Sequence, residues 1–155
     1  MKCLKCELPI LAPAAMRYSE WDGVNWQQIE GWRAEFENDR VRWSMHIKRG
    51  FVTDGGSIPE RLQGRFHPLG YALAAYLVHD ALYATEYVPR AEADYIMLEL
   101  LQDLGKNWIN RNMQYAGVRL GGAIVWARHK FDDICKARDL VIFHIEYKKP
   151  KEGVA

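Results

Sequence analysis

Hydrophobic and polar residues alternate along two neighbouring stretches in the first third of the chain. Residues 32–37 (WRAEFE) place Trp, Ala and Phe at every second position, and residues 40–48 (RVRWSMHIK) do the same with Val, Trp, Met and Ile. A period of two is typical of strands with one buried face. Asn38 and Asp39 between the two stretches suit a two-residue turn. The pattern therefore predicts an antiparallel β-hairpin.

The period becomes helical in the second half of the chain. Residues 71–87 are rich in Ala and Leu, and residues 89–104 carry a helical apolar stripe that stops at Gly105. A third helix is predicted over about residues 108–130, where glycines weaken it or permit close packing. Residues 140–147 alternate again and predict a closing strand. This order predicts an α+β fold, with the N-terminal hairpin and the C-terminal strand packed on a bundle of about three helices.

A long irregular connection is predicted between the hairpin and the first helix. Residues 49–70 contain five glycines and two prolines, which interrupt any regular period. Long ordered loops in compact domains are often functional. This segment is therefore the first place to look for a binding site.

The overall composition is that of a single globular domain. The chain has 155 residues and a net charge of +1, from 21 basic and 20 acidic residues, and we expect a core over about residues 18–147 with flexible termini. A balanced charge gives no support to a nucleic-acid partner, which usually needs a clustered basic excess. No apolar run reaches the length of a membrane span, and no signal peptide is recognisable. We therefore expect a soluble cytoplasmic protein.

The cysteines give little indication of a metal or disulfide site. Cys3 and Cys6 form a C-x-x-C pair, and Cys135 stands alone. An odd number argues against a closed disulfide framework, and no second pair completes a metal knuckle. Free thiols in a reducing compartment are the favoured interpretation.

The stretch AAYLVHDALY, residues 74–83, places two ionisable residues in an apolar helix. His79 and Tyr83 share one face of that helix, and Asp80 is rotated by about 100° from His79. The short connection to the next helix makes the two helices antiparallel neighbours, which brings Asp94 close to His79. We expect Asp94 to accept the Nδ1–H of His79 and a hydrogen bond from Tyr83. Nε2 would then be free to take a proton from water or a hydroxyl.

A metal site is a second expectation for the same region. Asp80, facing the other way, is a candidate ligand for a hard cation such as Ca²⁺, together with Asp54 and the backbone carbonyls of the TDGGSIP loop. Ser57 in that loop and Arg90 at the start of the second helix are further candidate binding residues.

Each of these residues also has a structural interpretation. His79 could be a hydrogen-bonded core residue, and Asp54 followed by two glycines is a turn signature in which Ser57 caps a local turn. Asp94 near a helix start suits the helix dipole, and Arg90 could form an ordinary surface pair with it. The sequence therefore leaves an active site and a buried polar network as alternatives.

The motifs resemble those of a family of small phage and prophage proteins of unknown function. The matching segments are GFVTDGGSIP at 50–59, HDALY at 79–83, RAEAD at 90–94 and YAGVRLGG at 115–122. The resemblance implies a phage origin, with a location in the host cytoplasm or the virion. It implies little about activity.

HDALY followed by Asp94 is also distantly similar to phospholipase A2. That resemblance implies that His79 activates water, Asp94 orients His79, Tyr83 supports Asp94, and Asp80 binds Ca²⁺. The sequence departs from that family in having no cysteine near His79. A weaker comparison is with metal-dependent phosphohydrolases of the H…HD…D type. Their pattern could be fitted by His67, His79, Asp80 and either Asp94 or Asp103.

Two functions follow as hypotheses. The first is a metal-dependent hydrolase with a His79–Asp94 dyad, acting on a lipid, cell-wall or other ester or amide substrate. The second is a non-enzymatic phage structural or host-interaction protein, in which His79, Asp80, Asp54 and Asp94 form a structural polar network.

Overall fold

The structure is a computed structural model that describes residues 2–6, 8–13, 26–53 and 72–148. The strands in these ranges are β1 (Lys2–Cys6), β2 (Leu11–Pro13), β3 (Trp26–Gln28), β4 (Trp32–Glu37), β5 (Val41–Ile47), β6 (Val52–Thr53) and β7 (Val141–Tyr147). The helices are α1 (Leu73–Thr85), α2 (Arg90–Asp103), α3 (Trp108–Trp126) and α4 (Phe131–Leu140). The predicted α+β class is confirmed. Asp54, Ser57, His67 and the tail from residue 149 lie outside the described residues.

The main sheet is antiparallel, with the strand order β1-β4-β5-β7. The predicted hairpin is confirmed as β4 and β5, and its alternation buries Phe36, Met45 and Ile47 on the face that carries the core. The turn lies one residue later than expected, at Asp39 and Arg40. The reason is that Asn38 pairs with Val41 through the backbone while its side chain accepts from the amides of both Arg40 and Val41.

The C-terminal strand closes the sheet as predicted. β7 pairs with β5 along its whole length, from Ile47 opposite Val141 to Val41 opposite Tyr147. It begins one residue later than expected because Leu140 ends α4. Phe143 on β7 packs its ring against Trp43 and Tyr87, which ties the strand to the core.

The N-terminal segment contributes a strand that the sequence pattern did not predict. β1 pairs with β4, and a register irregularity between Cys3 and Lys5 interrupts its alternation. Cys3 lies opposite Phe36 and Cys6 opposite Ala34, so both cysteines lie on the core side of the sheet. The bulge explains why a period of two was not visible in KCLKC.

A second, three-stranded sheet has the strand order β2-β3-β6. Its last strand pairs Thr53 with Trp26 and packs against α1. This pairing holds Thr53, which is buried, at the start of the connection to the first helix.

Within the described part of the chain, the helices agree with the predicted bundle but number four. α1 ends where Glu86 adopts a left-handed conformation, and α2 starts directly after Pro89. Asn107 caps α3 by accepting from the Asn110 amide at 2.9 Å. Despite its glycines α3 is continuous, and it ends at Trp126 rather than near residue 130. The fourth helix was not predicted because it has only ten residues, five of which are charged.

Candidate functional site

The site is built around α1, which is buried along almost its whole length. The Nε2 atom of His79 lies 3.0 Å from Oδ1 of Asp94 on α2. The two helices therefore bring His79 and Asp94 together across their short connection. The contacting nitrogen is Nε2, whereas the sequence analysis expected Nδ1.

Tyr83 also contacts the Asp94 carboxylate. Its hydroxyl donates to Oδ1 at 2.6 Å, the same oxygen that contacts His79. The ring lies 4.2 Å from the His79 ring between centroids, and it meets Trp126 edge-on at 5.0 Å. These contacts hold the hydroxyl in place on the carboxylate.

Two arginines contact the other oxygen of Asp94. Arg119 on α3 donates to Oδ2 at 2.8 Å, and Arg90 lies 3.4 Å from the same atom. Arg90 also donates to the carbonyls of Val118 and Arg119, so it joins α2 to α3. Arg90 is therefore part of the buried site rather than a surface pair with Asp94 alone.

Asp80 lies at the opposite side of the His79 ring from Asp94. Its Oδ1 is 3.6 Å from Nδ1 of His79, and its Oδ2 accepts from the Thr53 hydroxyl. Asp80 was expected to point away from His79. The geometry instead places a carboxylate beside each nitrogen of the ring.

Exposure increases along this row of side chains. The side chain of Asp94 is 0% exposed, that of His79 is 9% exposed and that of Asp80 is 20% exposed. Side-chain exposure is therefore greatest at the Asp80 end of the row, which is the end where Nδ1 lies.

The electrostatics follow from these contacts. Burial alone would lower the pKa of His79, but the carboxylates of Asp80 and Asp94 outweigh it and raise the pKa above its ordinary value. Burial alone would raise the pKa of Asp94, but hydrogen bonds from His79, Tyr83 and Arg119 outweigh it and lower the pKa. Burial and the Asp94 contact raise the pKa of the Tyr83 hydroxyl. Asp94 is therefore a stable anion.

The described residues do not form a complete metal site. No group of three or more His, Cys, Asp or Glu side chains within them is arranged to hold a metal ion. Asp80 and Thr53 offer oxygen atoms of the type that Ca²⁺ prefers, but this cation takes six to eight ligands. The predicted ligand Asp54 and the candidate Ser57 lie outside the described residues.

Two members of the cluster were missed by the sequence analysis. Arg119 was a recognisable candidate, because it is the one charged residue between Tyr115 and Trp126. An unpaired arginine in such a stretch is costly to bury, which is a reason to look for a carboxylate partner. Thr53 was part of the TDGGSIP loop considered for its backbone carbonyls, but nothing in the sequence singled out its hydroxyl.

The sequence matches a protein family described as "Protein of unknown function (DUF1353)" over residues 31–118, more than half of the chain. The chain belongs to this family. The matched region contains β4 to α2 and most of α3, and it therefore includes His79, Asp80, Tyr83, Arg90 and Asp94. Arg119 lies one residue beyond it.

No match was found among curated proteins or among solved structures. None of the helices within the described residues combines the length and the apolar character needed to cross a bilayer.

Proposed function

We propose that this member of the family is a hydrolase in which His79 activates water through Nδ1. The observation that carries the proposal is that side-chain exposure increases from Asp94 through His79 to Asp80. The anionic, fully buried end of this row holds Nε2, and its more exposed end presents Nδ1. A general base of this kind has one nitrogen fixed by a carboxylate and the other nearer to solvent, and here Nδ1 is at the more exposed end, 3.6 Å from Asp80 Oδ1.

The chemistry uses His79 as a proton carrier. In its neutral form, His79 keeps its proton on Nε2 and donates it as a hydrogen bond to Asp94. Nδ1 takes a proton from water as the water oxygen bonds to an ester or amide carbonyl carbon, and the bond from that carbon to the leaving group then breaks. Asp94 stabilises the resulting imidazolium, and Tyr83 and Arg119 hold Asp94 in place. Nδ1 then returns the proton to the leaving group, so that His79 is regenerated.

A cation at Asp80 is a separate part of the proposal. Its support is the partly exposed carboxylate beside Nδ1 and the proximity of Thr53. Because the described residues supply too few ligands, the water-activation steps above do not depend on a cation.

The hydrolase proposal is tested by comparing two histidines that both face carboxylates. His129 contacts Glu86 at 3.0 Å outside the cluster, which makes it a matched control for His79. Wild type, His79→Gln and His129→Gln are assayed on nitrophenyl esters, phospholipid vesicles and peptidoglycan, with and without Ca²⁺. We expect a loss of about 100-fold or more for His79→Gln alone. Equal activity in wild type and a folded His79→Gln would refute the proposal.

The alternative function is a binding or structural protein, including a phage component or host-interaction protein. It is favoured by one observation: carboxylates face both nitrogens of His79, and Asp94 receives four side-chain contacts. In that case, His79→Gln would reduce stability, and the three proteins would show equal rates on every substrate tested.

A further inference from the structure

The exposed face of α3 has an unusual composition. Its exposed residues are all apolar or glycine, and they are Trp108, Ile109, Met113, Ala116, Gly117, Leu120, Gly121, Ala123, Ile124 and Val125. Leu120 is 82% exposed and Trp108 is 67% exposed. A contiguous apolar surface of this kind usually marks a contact surface.

The two charged residues of α3 have partners within the protein, although the side chain of Arg119 is 34% exposed. Arg119 contacts Asp94, and Arg111 donates to the carbonyl of Lys106. Helices that bind anionic membranes combine an apolar face with exposed Lys and Arg. The exposed face of α3 has no such charges, and an uncharged partner surface therefore suits it best.

The apolar face is symmetric about its own centre. Trp108 and Val125 are equally distant from the peptide bond between Ala116 and Gly117, and so are Ile109 and Ile124, and Met113 and Leu120. A two-fold axis through this bond would pair Met113 with Leu120 and Ile109 with Ile124, because these residues face the axis at the helical repeat. The smallest residues would lie at the crossing point, where two helices approach most closely.

We propose that two copies of this chain pair through antiparallel α3 helices. In this isologous dimer Met113 of each copy contacts Leu120 of the other, and Ile109 contacts Ile124. A Cβ atom added at Gly117 would have no neighbour within 4 Å in one copy, so the surface at the crossing point is open to the second copy.

The available area sets the expected strength of the dimer. The exposed large side chains of α3 offer on the order of 400 Å² of apolar surface per copy, compared with about 800 Å² per partner in a standard interface. The pairing is therefore expected to be reversible and dependent on protein concentration.

Sedimentation equilibrium with charge variants tests this pairing. Wild type should be dimeric at high concentration, and Met113→Glu and Leu120→Lys should each be monomeric. The double variant should regain the dimer, because each new carboxylate would meet a new ammonium across the two-fold axis. Residues 113 and 120 lie two turns apart within one helix, so this rescue requires a second copy. Added salt should weaken the rescued dimer.

Tyr147→Glu on β7 is the matched control, since Tyr147 is 78% exposed and belongs to the main sheet rather than to α3. It should leave the dimer unchanged. A wild type that stays monomeric up to its solubility limit overturns the proposal, as does a double variant that remains monomeric. A monomer that floats with phosphatidylcholine vesicles would assign the face to lipid contact instead.

Discussion

Asp94 receives contacts from side chains on three helices, although its own side chain is fully buried. His79 and Tyr83 reach it from α1, Arg90 from α2 and Arg119 from α3. An uncompensated carboxylate at this depth would be strongly destabilising. The contacts supply that compensation, and they also hold His79 in one orientation. The stability of the fold and the orientation of the His79 ring therefore depend on the same hydrogen bonds to Asp94.

Two tyrosines on α1 allow the stability contributed by a hydrogen bond to a charged acceptor to be compared with that of a hydrogen bond to a neutral acceptor. Tyr83 donates to the Asp94 carboxylate, and Tyr76 donates to the amide oxygen of Gln114, both at 2.6 Å. We expect Tyr83→Phe to lower the free energy of unfolding by about 1.5–3 kcal/mol and Tyr76→Phe by about 0.5–1.5 kcal/mol. Urea denaturation measures both values. Equal losses would show that the Asp94 contact is no stronger than the neutral one.

The shifted pKa values predict a pH dependence of stability. The raised pKa of His79 contributes stability that is complete below about pH 6.5 and is lost as the pH rises through the folded-state value. The lowered pKa of Asp94 contributes stability that is present above about pH 3.9 and is lost as the pH falls through its folded-state value.

Urea denaturation across pH, in the presence of a chelator, measures this dependence. His79→Gln should lack the decrease in stability that wild type shows above about pH 6.5, while His129→Gln should retain it. An identical decrease in His79→Gln and wild type would mean that another group is responsible.

Strands and helices whose hydrophobic residues recur at a regular spacing were predictable from the sequence. Those without such a spacing were not. The hairpin and α1 were recognised from alternation and from an apolar helical run. α4 was missed because it is short and five of its ten residues FDDICKARDL are charged, and β1 was missed because its bulge breaks the alternation. The pairing of His79 with Asp94 followed from helix connectivity. The choice of Nε2 did not, because ring orientation depends on packing against Tyr83.

Adjacent glycines of α3 give a test of how closely this helix packs on α1. A Cβ atom at Gly122 would collide with the Tyr83 hydroxyl and lie 3.2 Å from its Cε1 atom, whereas one at Gly121 would have no neighbour within 4 Å. We expect Gly122→Ala to cost about 1–3 kcal/mol through overpacking. Gly121→Ala should gain about 0.5–1 kcal/mol through helix propensity.

These two values are measured by urea denaturation at low protein concentration, where dimer formation does not contribute. The order of stabilities should be Gly121→Ala, wild type, Gly122→Ala. A neutral Gly122→Ala would show that Tyr83 is free to move away from α3.

In the whole molecule, the fold brings together site residues from distant parts of the chain. Thr53 comes from β6, His79 and Asp80 from α1, Asp94 from α2 and Arg119 from α3. The α+β order was predictable from the succession of periods along the sequence. The contribution of α3 to the site was not, since it depends on which face of that helix packs inwards.

The predicted calcium site would join residues from two separate parts of the chain. If Asp80 and Asp54 bind Ca²⁺ together, the cation links α1 to the residue that follows β6 and raises the melting temperature. Asp80→Asn should remove that increase, while Asp103→Asn on α2 should leave it intact. Thermal unfolding with and without Ca²⁺ measures the effect. A wild type whose melting temperature is unaffected by Ca²⁺ would contradict the predicted site.

The protonation of the two His79 ring nitrogens tests the central claim most directly. Nitrogen-15 NMR in the neutral form distinguishes them, and His79→Gln assigns the signals. We expect a proton on Nε2, held by Asp94, and an unprotonated Nδ1 that is able to act as a base. A ring that keeps a proton on Nδ1 throughout the pH range in which the protein stays folded would contradict it, and would favour the buried polar network.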